Sequence, residues 1–160
     1  QSWFLDMGLV MAYWGGSHQR AYHHTAPINM LYGLHEALVI LEEEGLENAW
    51  ARHARHHTAL AAGLAALGID FVVDVAHRLP QLNCVRIPAG VDHAKVRRQR
   101  LEEYGLEIGA GVGPLAGKVW RIGLMGFAAN RTNVLLCLGA LEALLDRSGA
   151  VAAARGFYAS

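Results

Sequence analysis

The sequence has few of the residues that mark a disulfide framework, a metal cluster or a membrane span. Among its 160 residues are two cysteines, Cys84 and Cys137, which are far apart and form no C-x-x-C pair. This usage argues against a disulfide scaffold or zinc site and favours a reducing compartment, so we expect a cytoplasmic protein. Charges and histidines interrupt every apolar run before the roughly 18 residues that a membrane helix needs, and we expect no membrane partner.

An excess of charge of either sign is also missing. The chain has 14 basic and 14 acidic residues, and its formal net charge is zero. Binding to nucleic acid or to an anionic membrane surface normally requires a basic surface. We therefore expect no nucleic-acid partner.

Apolar residues are abundant, and at 53% of the chain they are sufficient for a packed core. They are dense in the opening stretch "QSWFLDMGLVMAYWGG" (1–16), which does not begin with methionine. Such an unprotected apolar start predicts that the chain is the interior part of a longer protein. In this stretch we expect a short helix that stops at Gly15-Gly16, followed by a polar loop over 17–24.

Apolar residues at helical spacing predict four longer helices. The first begins with Thr25 as its N-cap and Pro27 in its first turn, and ends at Gly45. The others cover about 46–67, 93–105 and 130–147. The second helix has a candidate buried face of six apolar residues, namely Leu46, Trp50, Ala54, Leu60, Leu64 and Leu67.

Runs rich in β-branched residues predict strands over 69–75, 81–88, 106–113 and 119–126. After residue 45 the predicted order is α, β, β, α, β, β, α, and the alanine-rich tail has no assigned element. This order predicts an α+β fold in which helices cover one face of a small, mainly antiparallel sheet.

Four hydrogen-bonding side chains, Tyr22, His23, His24 and Thr25, stand directly before the first long helix. A helix N-terminus offers unpaired N–H groups and the positive end of the helix dipole, which together favour anions. Tyrosine and threonine hydroxyls can also donate to phosphate oxygens. The spacing alone leaves two interpretations open, a capped helix with loop residues or an anion pocket.

Arg121 alternates with Trp120 and Ile122 in an otherwise apolar strand. Such an arginine must either reach solvent or meet an anion, because burying its charge unpaired is very costly. Its planar guanidinium suits two-point binding of a carboxylate. An arginine on the solvent side of an edge strand is the alternative.

Three further patterns do not indicate a nucleotide or metal site. The stretch "GAGVGP" (109–114) precedes a strand rather than a helix, which is wrong for a nucleotide phosphate loop and favours a turn or a close backbone approach to a ligand. His53 and His57 are four residues apart without the glutamate of a zinc protease, and they predict a solvated helix face. A basic cluster balanced by Glu102 and Glu103 predicts a surface helix; its members are Lys95, Arg97, Arg98 and Arg100.

Five segments, in order along the chain, carry a family resemblance: "SWFLD" (2–6), "YHHTAP" (22–27), "GLENAWARH" (45–53), "GVGPLAGKVWRIGLMG" (111–126) and the "N-x-T-N-V" helix start at 130–134. Together they resemble the C-terminal part of alanine–glyoxylate and serine–glyoxylate aminotransferases. These are pyridoxal-phosphate enzymes of the class V, fold-type I group. The resemblance implies that residues 1–45 end the large cofactor-binding domain and that 46–160 form the small C-terminal domain.

The resemblance also implies a homodimer whose active sites combine both subunits. Tyr22 and Thr25 would bind the pyridoxal 5'-phosphate group of the neighbouring subunit, and Arg121 would bind the α-carboxylate of the amino-acid or 2-oxo-acid substrate. His23 and His24 would give structural support only.

No catalytic residue is expected in this chain. Transamination uses a lysine that forms a Schiff base with the cofactor, and the resemblance implies that this lysine lies upstream of "SWFLD". The two lysines present are Lys95, in a charged helix, and Lys118, beside a strand. We therefore expect the chain to be inactive alone.

The expected reaction of the parent enzyme is transfer of an amino group from alanine or serine to glyoxylate, or to pyruvate. One alternative is a catalytically dead fragment that serves as a dimerisation or small-anion-binding module. A sulfur-transferring relative is disfavoured, because it needs a mobile thiol while Cys84 falls in a predicted strand and Cys137 in a predicted helix.

Overall fold

The computed structural model describes residues 2–14 and 21–159. The predicted stop at Gly15-Gly16 and the first part of the predicted loop lie outside the described residues. The chain divides into two compact units, Gln1–Gly45 and Leu46–Ser160. That these units are the end of a cofactor domain and a complete small domain stays a prediction.

The first unit contains helix α1 (Met7–Met11), a 3-10 turn (Ala12–Trp14) and helix α2 (Ile28–Glu44). Helix α2 ends where the sequence predicted, because Gly45 takes a positive φ of 81°. Its predicted start is wrong: Pro27 is the N-cap residue, and no side chain caps the helix. Thr25 instead directs its hydroxyl to that of Tyr22.

Neither helix of this unit has a buried residue. The exposed fractions of large apolar side chains reach 60% for Trp3, 75% for Met30 and 73% for Tyr32. Apolar contacts within the unit are thus too few to remove these side chains from water.

The second unit contains four helices and a three-stranded sheet in the part of the chain described. The helices are α3 (Leu46–Ala66), α4 (His93–Tyr104), α5 (Arg131–Leu145) and α6 (Ala150–Ala159). The first three match the predicted positions closely. Helix α6 occupies the alanine-rich tail, which carried no predicted element; alanine is the strongest helix former, and Phe157 and Tyr158 pack against the core.

The strands are β1 (Leu82–Arg86), β2 (Gly109–Ala110) and β3 (Val119–Gly123), in the antiparallel order β1-β3-β2. Two predicted strands are largely wrong. Residues 69–75 contribute a single bridge, between Phe71 and Val85. Strand β2 stops after two residues because the chain turns at Gly111, where a β-carbon would lie 2.0 Å from the carbonyl oxygen of Leu115.

The core of the second unit lies between the helices and one face of the sheet. Trp120 and Ile122 of β3 belong to the same buried cluster as Leu60 of α3 and Leu138 of α5. Helix α3 approaches α5 closely at Gly63, where a β-carbon would stand 2.3 Å from a methyl carbon of Leu138. No described helix is long and apolar enough to cross a bilayer.

The predicted buried face of α3 is correct only in its second half. Leu60, Leu64 and Leu67 are buried, whereas Leu46 and Trp50 are 49% and 59% exposed. The first turn of α3 therefore presents apolar side chains that the second unit does not cover.

The prediction of a surface for the basic cluster of α4 is wrong for Arg100. Its side chain is completely buried, and Nη2 donates to Sγ of Cys137 over 3.0 Å. Its Nε and Nη1 have no hydrogen-bond partner in the described structure. Charge balance along the sequence did not reveal this, because it does not specify which helix face α5 covers.

Candidate active-site residues

Arg121 stands on β3, the central strand of the sheet, so the edge-strand alternative is wrong. Its side chain is on the sheet face opposite the buried Trp120 and Ile122, and it is half-buried. Nε donates to the carbonyl oxygen of Ala110 over 2.8 Å. The terminal nitrogens form no hydrogen bond or ion pair with the residues that the structure describes. They are thus available for the two oxygens of a carboxylate.

The strand register determines what surrounds this arginine. Cys84 of β1 and Gly109 of β2 are its two cross-strand partners. On the Gly109 side there is no side chain, and a β-carbon added there would lie 3.3 Å from Nε and 3.4 Å from Nη2 of Arg121. The guanidinium therefore lies over the backbone of β2.

Tyr22 and Thr25 lie together in the first unit, just before α2. Their hydroxyls are in direct hydrogen-bonding contact, and both side chains are exposed. Helix α2 has 17 residues and lacks a side-chain cap; the backbone nitrogen of Ile28 donates to the carbonyl oxygen of Ala26, and the next two N–H groups have no capping side chain. Two hydroxyl donors beside an uncapped helix N-terminus are a donor set that fits a phosphate group.

Aromatic residues from the start of the chain hold this segment. The ring centroids of Trp3 and His23 are 4.1 Å apart, and those of Phe4 and His24 are 4.3 Å apart. The hydroxyl of Tyr13 bonds both to the backbone nitrogen and to the carbonyl oxygen of His24. The backbone directly before Thr25 is therefore held by contacts from residues 3–4 and from Tyr13.

His53 and His57 do not form a solvated face, and that prediction is wrong. His53 is 8% exposed; its Nδ1 is 2.6 Å from the carbonyl oxygen of Ala49, and its Nε2 accepts from the backbone nitrogen of Gly126 over 3.1 Å. Nδ1 of His57 bonds Oδ1 of the buried Asn83 over 2.6 Å. The two rings serve different partners, and no group of three metal-binding side chains occurs in the described residues.

Arg52 and His53 have a positioning role that the sequence did not reveal. Nη1 of Arg52 donates to the carbonyl oxygens of Gly126 and Ala129, over 2.7 and 3.2 Å, next to the His53 contact. Helix α3 thus holds the turn (Gly126–Ala128) that follows the arginine-bearing strand. More than 70 residues separate these partners, so no local pattern could have predicted the contact.

The predicted site residues fall in two groups. The structure brings Tyr22 and Thr25 together in the first unit, while Arg121 belongs to the second. Each group provides donors suited to an anion. The first fits a phosphate and the second a carboxylate.

Comparison with known proteins gives this arrangement a context. The (S)-ureidoglycine–glyoxylate transaminase of Bacillus subtilis is 44% identical over 147 residues, covering 92% of this chain and 35% of the relative. The alanine–glyoxylate aminotransferase of Callithrix jacchus is also 44% identical, covering 91% and 36%. The crystal structure of the Bacillus subtilis ureidoglycine–glyoxylate aminotransferase is 40% identical and superposes with a TM-score of 0.89. The match covers all of this chain and 43% of the crystallised chain. No family model matches the chain.

The fold and the relatives together define a class V, fold-type I aminotransferase region. The chain belongs to the glyoxylate aminotransferase family and corresponds to its C-terminal portion. The family prediction and the α+β fold class are thereby confirmed. The chain spans about a third of the length of the curated relatives that it matches.

Proposed function

We propose that this chain provides the substrate-carboxylate arginine and a phosphate-binding segment of a pyridoxal-phosphate-dependent aminotransferase. The parent protein transfers an amino group from a small amino acid to glyoxylate. The two relatives described above are named for glyoxylate together with ureidoglycine or alanine. Alanine or serine is the donor that we propose, and the acceptor is glyoxylate or pyruvate.

The geometry of Arg121 carries this proposal. An arginine on the central strand, half-buried and with only Nε engaged, has an otherwise unexplained cost of burial. A carboxylate supplies the missing countercharge, and the fixed Nε contact sets the plane of the guanidinium. The substrate is then held at its acid group, while its side chain remains free to differ between donors.

Tyr22 and Thr25 are proposed to hold the phosphate of the cofactor. Pyridoxal phosphate supplies the electron sink for amino transfer when it is bound. On binding, the two hydroxyls would exchange their mutual hydrogen bond for bonds to phosphate oxygens, and the N-terminus of α2, which has no side-chain cap, adds a favourable dipole. We propose that this phosphate belongs to the neighbouring subunit of a homodimer, and that the lysine for covalent attachment precedes this chain.

A cytoplasmic location is part of the same proposal. It is supported by the cysteine usage of the sequence, in which Cys84 and Cys137 are far apart and form no C-x-x-C pair.

Separate substitutions in the full-length protein test the two roles. Arg121→Ala is expected to raise KM for glyoxylate and for the amino donor by about tenfold or more, since a charged hydrogen-bonded pair is lost. Cofactor affinity should change little. Steady-state kinetics with each substrate, and a fluorescence titration with pyridoxal phosphate, measure the two quantities.

Tyr22→Phe and Thr25→Ala are expected to do the reverse. Each removes one hydroxyl donor and should weaken cofactor binding several-fold, with a smaller effect on KM. If Arg121→Ala released cofactor while Tyr22→Phe spared it, the two assignments would be wrong. A full-length protein that gains no visible absorbance with added pyridoxal phosphate would contradict the aminotransferase proposal itself.

The first unit favours one alternative, a dimerisation module without activity. Helices α1 and α2 bury none of their residues, and apolar patches of this kind normally meet a partner. The same titration separates the alternatives. A module that only dimerises would sediment as a dimer and bind no cofactor.

A further inference from the structure

We propose that Gly109 is a positioning residue for Arg121, and that its missing side chain allows the guanidinium to present its terminal nitrogens to a substrate carboxylate. This inference rests on the proposed function of Arg121. It assigns a role to a residue of β2, the strand that pairs with the arginine-bearing β3.

The strand register leads to this assignment. Cys84 and Gly109 stand opposite Arg121 on its two sides, on the same face of the sheet. One neighbour carries a side chain and the other does not. The arginine leans over the side without one, where Nε reaches the carbonyl oxygen of Ala110 at 2.8 Å.

The space over Gly109 is just large enough for the guanidinium. A β-carbon at this position would lie 3.3 Å from Nε, 3.4 Å from Cβ and 3.4 Å from Nη2 of Arg121. Carbon atoms normally pack about 3.5–4.0 Å apart, so a methyl group here must displace the arginine by a few tenths of an ångström. A branched side chain would fill the space taken by the guanidinium.

Backbone conformation does not account for glycine at this position. Gly109 is not among the glycines with positive φ, and it pairs in a regular antiparallel ladder. Valine is compatible with such a position and has a higher strand propensity than glycine. The arginine therefore limits the room for a side chain at this position, while the local backbone does not require glycine.

Strand β2 is itself held in place by arginines from two elements. Arg97 of α4 donates Nε to the carbonyl oxygen of Ile108 over 2.8 Å, and Arg121 bonds that of Ala110. Helix α4 therefore also holds β2, the strand over which the guanidinium lies. A change at Gly109 moves the arginine side chain before it moves the strand.

The first test uses this chain alone and needs no cofactor. The Nε–H signal of Arg121 is identified in a nitrogen-15 spectrum by its loss in Arg121→Lys. Its hydrogen exchange is expected to speed up about tenfold in Gly109→Val, because the bond to Ala110 is broken. Gly109→Ala should show a smaller increase. Gly156→Ala is the matched control, because nothing lies within 4 Å of its added carbon.

The second test measures KM and kcat of the full-length protein. Gly109→Val is expected to raise KM for glyoxylate about tenfold with a smaller change in kcat, and Gly109→Ala should fall between it and the wild type. The melting temperature should not drop, which separates misplacement of the arginine from unfolding. Gly156→Ala should leave both constants unchanged.

The two tests separate failure of this inference from failure of the proposed function. Unchanged Nε exchange in both Gly109 variants overturns the inference, even if Arg121→Ala raises KM. Faster exchange together with an unchanged KM in Arg121→Ala upholds the positioning contact and overturns the carboxylate role. If Nε exchange and KM both rise most in Gly109→Val and less in Gly109→Ala, the results support both the positioning role of Gly109 and the proposed function of Arg121.

Discussion

The two units of this chain bury their apolar residues to very different extents. In the second unit Leu60, Leu64, Leu138 and Leu141 have no measurable exposure. In the first unit neither helix buries a single residue, although α2 is as apolar on average as α5. Composition alone would not separate the two helices. What separates them is whether another element of the same unit covers their apolar face.

This contrast is informative about where function lies. The second unit packs its own core, and on the outer face of its sheet the terminal N–H groups of Arg121 form no hydrogen bond with the described residues. The first unit carries the paired hydroxyls of Tyr22 and Thr25 and, in addition, large apolar side chains that stay exposed in this chain, and such patches commonly mark an interaction surface. An active site shared between subunits, as proposed above, would use both properties.

Matched leucine substitutions measure the contrast directly. Leu138→Ala in α5 should lower the free energy of unfolding of the chain by about 2–5 kcal/mol, through lost burial and a residual cavity. Leu38→Ala in α2, where the side chain is 56% exposed, should change it by about 0.5 kcal/mol or less. Urea unfolding at low protein concentration, which prevents association, measures both.

Equal losses in the two variants would contradict the contrast, because they would show that α2 is packed within the single chain. A loss for Leu38→Ala that appears only at high protein concentration would sharpen it. That result would place the cover of α2 on a second copy.

Local signals predicted three of the four described helices of the second unit well, α6 being the exception. Helix α4 begins after Asp92, whose carboxylate accepts from the backbone nitrogens of Ala94 and Lys95, and ends at Gly105 with a positive φ of 61°. Both signals are readable within a few residues. These hydrogen bonds lower the pKa of Asp92, so its capping contribution is present above pH 3.8 and is lost as pH falls through the lowered value.

Predictions that depended on distant partners were less successful. Residues 69–75 have strand composition, but along the free edge of β1 only Phe71 forms a bridge, with Val85. Thr25 has a favourable residue type for capping, yet its hydroxyl is engaged by Tyr22. The position of Arg121 in a strand was predictable from the sequence. That Gly109 lies opposite it could be known only from the strand register.

Arg100 offers the next largest effect and tests how complete the core is. Arg100→Met replaces a buried guanidinium, two of whose nitrogens lack partners in the described structure, with an apolar side chain of similar length. The free energy of unfolding is expected to rise by about 1–4 kcal/mol, because the desolvation cost is removed. Arg100→Ala is the control, and its cavity should offset this gain.

A stability loss in Arg100→Met equal to that in Arg100→Ala would overturn this view. It would show that the contact with Cys137 contributes more than the burial of the charge costs. Cys137→Ala in the Arg100→Met background then measures the contact by double-mutant comparison.

The smallest expected effect concerns the pH dependence of the second unit. Burial lowers the pKa of His56 from 6.5, and the neighbouring Arg55, Arg52 and His53 lower it further. Because the folded pKa is depressed, the unfolded chain binds more protons as pH falls through 6.5. Stability is therefore complete above this pH and declines below it, until the folded ring is also protonated.

His56→Gln should flatten this decline while keeping a hydrogen-bonding side chain opposite the hydroxyl of Tyr158, which lies 2.7 Å from Nδ1 of His56. Arg55→Gln should flatten it less, because burial is the larger cause and the charge of Arg55 the smaller one. Melting temperatures of the three proteins between pH 5 and pH 8 test this order. If Arg55→Gln flattened the profile as fully as His56→Gln, the charge of Arg55 and not burial would be the dominant cause of the lowered pKa of His56.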